Sequence, residues 1–282
     1  MLKALYFETN KADGSVNCLL CPHKCKILPG KKGFCGVRTN IGGELFSLVD
    51  RVYSGIAYDP IEKKPLYRFH PGSRIFSIGS FGCTLRCDFC QNWHLLNLPE
   101  RAPLQDDDAI LQAAAQEGSI GIAYTYNEPT VSYETVLRLS KKARERGLVN
   151  VLITNGYINP EPFTELLKYI DAANIDIKAF NNEYYKKFCK GELEPVKENV
   201  RIASKMVHLE ITTLLTGENN SAPDEIEALA KFLADLDENI PLHLSRYFPA
   251  YKMTEPPTDI KLMLRAKEIA SQHLKHVYLG NV

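Results

Sequence analysis

The chain has 282 residues, 45% of them hydrophobic and 24% charged, the make-up of an ordinary soluble globular protein, and its length suits one α/β barrel with a small appendage. Lys plus Arg and Asp plus Glu number 34 each, so the formal net charge is zero and no overall field draws the chain to phosphate backbones; general nucleic-acid binding is not expected. No apolar run approaches the length that spans a bilayer, and the opening MLKALYFETNKADG lacks a basic stretch, apolar core and small-residue cleavage site, which points to a cytoplasmic protein without membrane attachment.

Residues 1–69 are rich in Gly, Pro, Lys and Cys and weakly periodic. The stretch CPHKCKILPGKKGFCG can bury little apolar surface, so a bound metal is expected to hold it together. ELFSLVDRV (44–52) and SGIAYDP (54–60) read as short strands or turns. From about residue 74, strands and helices alternate. RIFSIGS (74–80) is a buried strand, followed by a cysteine-bearing loop and a helix near 106–117. GIAYTY (121–126) is a second strand; the helix after it carries Val136, Leu139 and Ala143 at helical spacing and stops at Gly147. Four more units follow: NVLITN (150–155) with a helix near 161–170, ANIDIKA (173–179) with helices around 181–189 and 193–205, HLEITTLL (208–215) with a helix from about 223 to 236, and PLHLSRY (241–247) with a helix over about 258–273. HVYLGN (276–281) reads as a short closing strand. Six strand–helix units imply a parallel sheet with helices outside, curled by right-handed crossovers into a partial (β/α)6 TIM-like barrel over residues 70–282. Its active site lies at the C-terminal ends of the strands.

Eight cysteines need an explanation other than disulfides in a cytoplasmic chain. Four stand at 18, 21, 25 and 35, three at 83, 87 and 90, and Cys189 stands alone, an ordinary core thiol on a predicted helix. GCTLRCDFCQN places Cys83, Cys87 and Cys90 in a C-x3-C-x2-C loop directly after a strand. Three thiolates so placed can hold three corners of a cubane and leave the fourth iron without a protein ligand. A closed structural zinc site wants four ligands, and an electron-transfer [4Fe–4S] cluster normally uses four cysteines. An open iron suits a cofactor that chelates metal, as S-adenosylmethionine (SAM) can through its amino and carboxylate groups; an electron passed to the sulfonium then breaks a C–S bond. A zinc knuckle or an incidental Cys-rich turn is the competing reading of the spacing.

With the aromatic Phe89 before its last cysteine, this loop resembles the signature of the radical SAM superfamily. The longer stretch DPIEKKPLYRFHPGSRIFSIGSFGCTLRCDFCQNW (59–93) is similar to a narrower group related to pyruvate formate-lyase activating enzymes, that of the radical SAM member of the AmmeMemoRadiSam system. The resemblance runs from Cys18 to about Val282. It implies a SAM-binding [4Fe–4S] cluster on Cys83, Cys87 and Cys90, and Asn92 matches a position that contacts SAM in those relatives.

The strand ends supply the remaining candidates. In YTYNEPTV (124–131), Asn127 and Glu128 are placed to bind the SAM ammonium, resembling the superfamily's Gly-Gly-Glu segment; an acidic residue at a helix N-terminus fits the same sequence. In ITNG, Thr154 and Asn155 are candidates for the ribose or methionine part. Ile153 stands where related activating enzymes often have an Asp, which speaks against a monovalent-cation site. In NIDIK, Asp176 and Lys178 lie two apart and so share a face; they match the Asp-x-Lys segment of the relatives, with Lys178 on the SAM carboxylate, although a structural ion pair has the same spacing. Leu214 and Leu215 are candidates to flank adenine. His243 and Arg246 are candidates for SAM or substrate, and Tyr247 and Tyr251 for substrate.

Cys18, Cys21, Cys25 and Cys35 give C-x2-C-x3-C-x9-C, a closed four-thiolate set that suits zinc or a second [4Fe–4S] cluster on ligand count. His23 is an alternative ligand. The segment resembles the family's LCPHxC…GxCGVR pattern, and a redox partner domain tilts the choice to iron–sulfur. The expected activity is reductive SAM cleavage to a 5′-deoxyadenosyl radical followed by hydrogen abstraction, with a reductant such as ferredoxin or flavodoxin and the other AmmeMemoRadiSam proteins as partners. A non-catalytic iron–sulfur electron carrier is the alternative, and it requires a fourth cysteine beside the first three.

Overall fold

The computed structural model describes residues 1–116 and 118–282. Residues 1–47 contribute six short strands: β1 (Leu2–Lys3), β2 (Phe7–Thr9), β3 (Val16–Cys18), β4 (Lys26–Ile27), β5 (Arg38–Ile41) and β6 (Glu44–Ser47). They pair antiparallel in two small sheets, ordered β1-β6-β5 and β2-β3-β4. Strands this short need support from packing or a bound group.

The main sheet holds β7 (Gly55–Pro60), β8 (Arg74–Gly79), β9 (Ser119–Tyr124), β10 (Val149–Thr154), β11 (Ala172–Asp176), β12 (His208–Leu215), β13 (Leu242–Arg246) and β14 (Val277–Gly280), side by side in chain order. β8 to β14 are parallel, and β7 runs antiparallel along the edge of β8. β7 thus belongs to the main sheet, although its residues fall in the part of the sequence grouped with the cysteines. The crossovers carry α1 (Asp107–Ala114), α2 (Tyr133–Glu145), α3 (Pro160–Leu167), α4 (Asn182–Tyr184), α5 (Leu193–Ala203), α6 (Pro223–Asp237) and α7 (Ile260–Ala270). The expected partial barrel is borne out. HVYLGN does not close it: β14 is the far edge strand, and among the described residues it does not pair with β7. Residue 117, the last of the helix expected near 106–117, lies outside the described residues. No helix among the described residues is long and apolar enough to cross a membrane.

The helix expected over 181–189 changes character midway. α4 runs into a π-helical turn, Tyr185–Cys189, which ends at Lys190 with φ +58°. The wider turn presents the Phe188 and Cys189 carbonyls to the backbone amides of Asp88 (2.9 Å) and Arg86 (2.8 Å).

Strand periodicity decides what faces the barrel interior. On β12, Glu210, Thr212 and Leu214 share the inner face, while Ile211, Thr213 and Leu215 face the helices. Glu210 is fully buried near the barrel floor, where its carboxylate accepts from His243 Nε2 (2.6 Å), His208 Nε2 (3.0 Å), Arg68 N (2.8 Å) and Tyr67 N (3.0 Å). The two backbone donors lie in the segment between β7 and β8, whose Leu66 packs with Ile75, Ala123 and Val151 and plugs the floor. Burial would push Glu210 upward, but His208, His243 and the two amides outweigh it and hold the carboxyl down at about 2. Its charge therefore stabilises the fold fully above the ordinary carboxylate range and loses that contribution as pH falls toward 2. Glu210→Gln is expected to cost on the order of 3 kcal/mol at pH 7 and less than half of that at pH 3. Urea unfolding at both pH values checks this; equal losses would contradict it.

The N-terminal sheets dock on the loop after β8. Arg86 Nη2 donates to the Phe34 carbonyl (2.6 Å), and His23 Nε2 lies 2.7 Å from the Thr84 carbonyl. Gly82, at φ +87°, permits the close approach: a Cβ there would sit 2.8 Å from the Cys35 carbonyl oxygen and from the Val37 methyls. Gly82→Ala therefore combines a left-handed backbone with a backbone clash, and is expected to destabilise the protein by about 2 kcal/mol or more. Thermal unfolding checks this; a melting curve unchanged from the parent would contradict the tight docking.

Candidate functional site

A cleft with about 1280 Å³ of empty space opens at the C-terminal ends of the strands, the end that parallel barrels use for chemistry. Cys83, Cys87 and Cys90 all line it. Their loop has little regular structure, and neighbouring side chains set its shape. Asn127 accepts from Ser80 N (2.8 Å) and donates to the Gly82 carbonyl (3.0 Å), clamping the loop entrance. Asn155 Nδ2 reaches Thr84 Oγ1 at 3.1 Å and the Cys83 sulfur at 3.5 Å. Asn92 Nδ2 donates to the Tyr126 carbonyl (2.7 Å) at the loop exit. Burial pushes all three thiols up, and for Cys87 a hydrogen bond with the Cys189 thiol adds to it as the leading cause. A metal centre must displace those protons to bind.

Glu128 lines the cleft, and its carboxylate also binds within the protein. It accepts from Thr154 Oγ1 (2.8 Å), Asn155 N (2.7 Å) and Thr130 N (3.0 Å). Burial raises its pKa, and the three donors only partly oppose that. Glu128 thus ties the ends of β9 and β10 together, and Thr154 serves the same knot. On β11 and just beyond, Lys178 Nζ pairs with Asp176 Oδ2 at 2.9 Å. Burial alone would lower the lysine, but Asp176 and then Cys87 outweigh it, and the ammonium is held above its usual value. Asp176 and Lys178 both face the cleft.

Three of the SAM candidates lie off the cleft lining. His243 belongs to the barrel floor: it lies two residues below Ser245 on the inner face of β13, bound to Glu210, while Ser245 lines the cleft. Leu215 points to the helix side, and Leu214 holds the cleft wall, because side chains alternate along β12. Arg246 also alternates outward, donating from Nε to the Thr258 carbonyl (2.8 Å) beside Phe248. Tyr247 is buried, its hydroxyl bonded to the Met253 carbonyl (2.7 Å); Tyr251 is exposed and stacked on Trp93. His23 places Nε2 on the Thr84 carbonyl and packs on Phe34.

Sequence reasoning also passed over residues that the cleft uses. Thr212 lines it, and its buried hydroxyl has no hydrogen-bond partner among the described residues, an exception that calls for an explanation. The two-residue period from Leu214 would have found it. Lys63, Lys64 and Tyr126 reach the cleft from the β7 side, with Lys64 Nζ 2.7 Å and the Tyr126 hydroxyl 2.8 Å from Asp59 Oδ2. Cys189, read as an ordinary core thiol, is fully buried but lies against Cys87; 99 positions separate it from Cys90, and no local spacing signals that contact.

At the N-terminus, Cys18, Cys21 and Cys35 are buried and Cys25 is half-buried. The four thiols lie near enough to feel one another's charge. Among the described residues, no three His, Cys, Asp or Glu side chains are drawn together closely enough to hold a metal as they stand, in this segment or in the loop after β8, so the thiols of either set would have to close around a bound metal.

Comparison with known proteins agrees with this architecture. The family model of the radical SAM superfamily matches residues 77–233. An uncharacterized protein of Methanocaldococcus jannaschii is 42% identical over 100% of this chain and 86% of its own length. A second protein of that organism, provisionally named a glycyl-radical enzyme activating enzyme, is 27% identical over 56% of this chain and 67% of its own. A crystal structure of a domain of pyruvate-formate lyase-activating enzyme from Bacteroides vulgatus shares the fold, with a TM-score of 0.51 at 21% identity, covering 57% of this chain and 99% of the domain. By the superfamily match over more than half its length, this chain belongs to the radical SAM superfamily.

Proposed function

We propose that Cys83, Cys87 and Cys90 hold a [4Fe–4S] cluster whose open iron takes SAM, and that the chain uses the resulting radical to abstract hydrogen from a substrate. The observation that carries this reading is one cleft lined by three thiols of one loop and by a charged Asp176–Lys178 pair. When bound, the cluster supplies one electron to the SAM sulfonium, giving methionine and a 5′-deoxyadenosyl radical. The donor set fits: three soft thiolates suit an iron–sulfur centre and leave one iron open.

The chain's own groups then have distinct tasks. Lys178 binds the SAM carboxylate, and Asp176 holds the lysine in place. The orphaned Thr212 hydroxyl takes a polar group of the nucleoside or methionine, and Leu214 offers an apolar wall for adenine. Asn92 and Asn155 contribute by fixing the loop while lining the cleft. Asn127 and Glu128 set the strand ends against which SAM lies, and the acceptor capacity left on their oxygens faces the SAM ammonium. Cys18, Cys21, Cys25 and Cys35 hold a second metal centre, a [4Fe–4S] cluster by the leaning of the sequence and a zinc ion otherwise. An external reductant such as ferredoxin or flavodoxin supplies the electron, and the chain works with the other proteins of the AmmeMemoRadiSam system. Its substrate is a glycyl-radical protein, as the provisionally named relative suggests, or a molecule modified jointly with those partners.

The electron-carrier reading gains one observation, the Cys189 thiol beside Cys87. Cys189 lies outside the cleft lining, however, so it does not face the open corner. With anaerobic, reconstituted protein, dithionite and SAM, the wild type is expected to release 5′-deoxyadenosine. Cys87→Ala is expected to release none, and Cys189→Ala to remain active. Absence of product from the wild type, or loss of the cluster in Cys189→Ala, contradicts the enzyme reading. Lys178→Gln is expected to weaken SAM binding roughly tenfold or more, measured by equilibrium dialysis; unchanged binding removes Lys178 from the SAM site.

A further inference from the structure

Arg38 is 1% exposed, among the largest fully buried side chains of the protein. Its terminal nitrogens are spoken for: Nη2 donates to Glu134 Oε1 (2.9 Å) and to the Leu5 carbonyl (2.7 Å), and Nη1 to Glu134 Oε2 (3.4 Å). This ion pair joins β5 to α2 and so ties the cysteine segment to the barrel. One donor is left over. Arg38 Nε is buried and has no hydrogen-bond partner among the described residues. Leaving an N–H of a cation unpaired in the interior is costly.

The neighbourhood offers an acceptor of the right kind. Arg38 stands three residues after Cys35, and its guanidinium reaches the Leu5 carbonyl, beside the strand pair in which Phe7 lies opposite Cys18 and the Tyr6 carbonyl accepts from Leu19 N. Protonated thiols are weak acceptors, whereas metal-bound thiolates are anionic and accept strongly. Four thiolates on a zinc ion or an iron–sulfur core also carry net negative charge into a buried place, which needs compensation.

We propose that Arg38 Nε–H donates to the metal-bound thiolate of Cys18 or Cys35, making Arg38 the positioning and charge-compensating residue of the N-terminal metal centre. This rests on the reading that those four cysteines hold metal. The Glu134 side of the guanidinium does structural work, and the Nε side serves the metal.

The test uses the full chain with Cys83, Cys87 and Cys90 changed to Ala, so that bound metal reports on the N-terminal centre alone. This parent is loaded with ferrous iron and sulfide, or separately with zinc, and metal loss to a chelator is timed. Arg38→Lys keeps the charge and reaches Glu134 but lacks the Nε donor; it is expected to lose metal about ten to a hundred times faster than the parent. Glu134→Gln keeps an acceptor for Leu5 N and leaves Nε in place; it is expected to match the parent. If Arg38→Lys fails to fold, the double variant Arg38→Gln/Glu134→Gln, which strands no charge, carries the comparison with the same expected loss. Retention equal to the parent in the Arg38 variants, or Glu134→Gln losing metal as fast as Arg38→Lys, overturns the role of Nε. A parent that takes up neither iron nor zinc overturns the metal reading itself and the Arg38 role with it.

Discussion

The loop that carries Cys83, Cys87 and Cys90 has almost no secondary structure of its own, so contacts from elsewhere must impose its shape. Asn127 clamps its entrance, Asn155 braces its first turn, the carbonyls at Phe188 and Cys189 pair with its middle, and Asn92 fastens its exit to Tyr126. Each partner sits at or just beyond a strand end or on a crossover, so the sheet register fixes the loop. A short loop with every end tied loses little further entropy when it binds a rigid group, which is how a scaffold prepares a site before its cofactor arrives.

The same logic explains the hydrogen-bonded polar residues around the cleft. Glu128 accepts three hydrogen bonds, and without it the ends of β9 and β10 would lose their common anchor. At the opposite end, Glu210 gathers two histidines and two backbone amides to seal the floor. The cleft groups are disposed differently: the Thr212 hydroxyl is unpaired among the described residues, and Lys178 pairs with Asp176 beside the thiols. Groups tied up in the frame hold geometry, and the groups left open are the ones proposed to meet a ligand. The N-terminal sheets lie against the back of the loop through Gly82, Arg86 and His23, so the two cysteine sets share one packed unit.

Much of this was legible in the sequence. The alternation of apolar strands and amphipathic helices marks all seven parallel strands, and the three-cysteine spacing marks the loop. The cleft residues Asp176 and Lys178 follow from their position at a strand end. What escaped has physical reasons. His243, Leu215 and Arg246 were singled out by residue type near strand ends, but strand parity and depth put one on the floor and two on the helix side. Thr212 carries no chemical flag until its neighbours are known to leave it unpaired. The Cys87–Cys189 contact depends on a π-turn that shifts the register of the helix by a residue. The orphaned Arg38 Nε is invisible to any reading of spacing, because it is defined by what surrounds it.

The central claim is that the three-thiol loop leaves one iron open for SAM. Electron paramagnetic resonance of the dithionite-reduced protein tests it most directly, in a variant with Cys18 and Cys21 changed to Ala so that only this centre contributes. The account predicts a reduced [4Fe–4S] signal whose g-values and line shape change when SAM is added. A cluster signal unmoved by SAM, or no cluster on Cys83, Cys87 and Cys90 in oxygen-free protein, would contradict it.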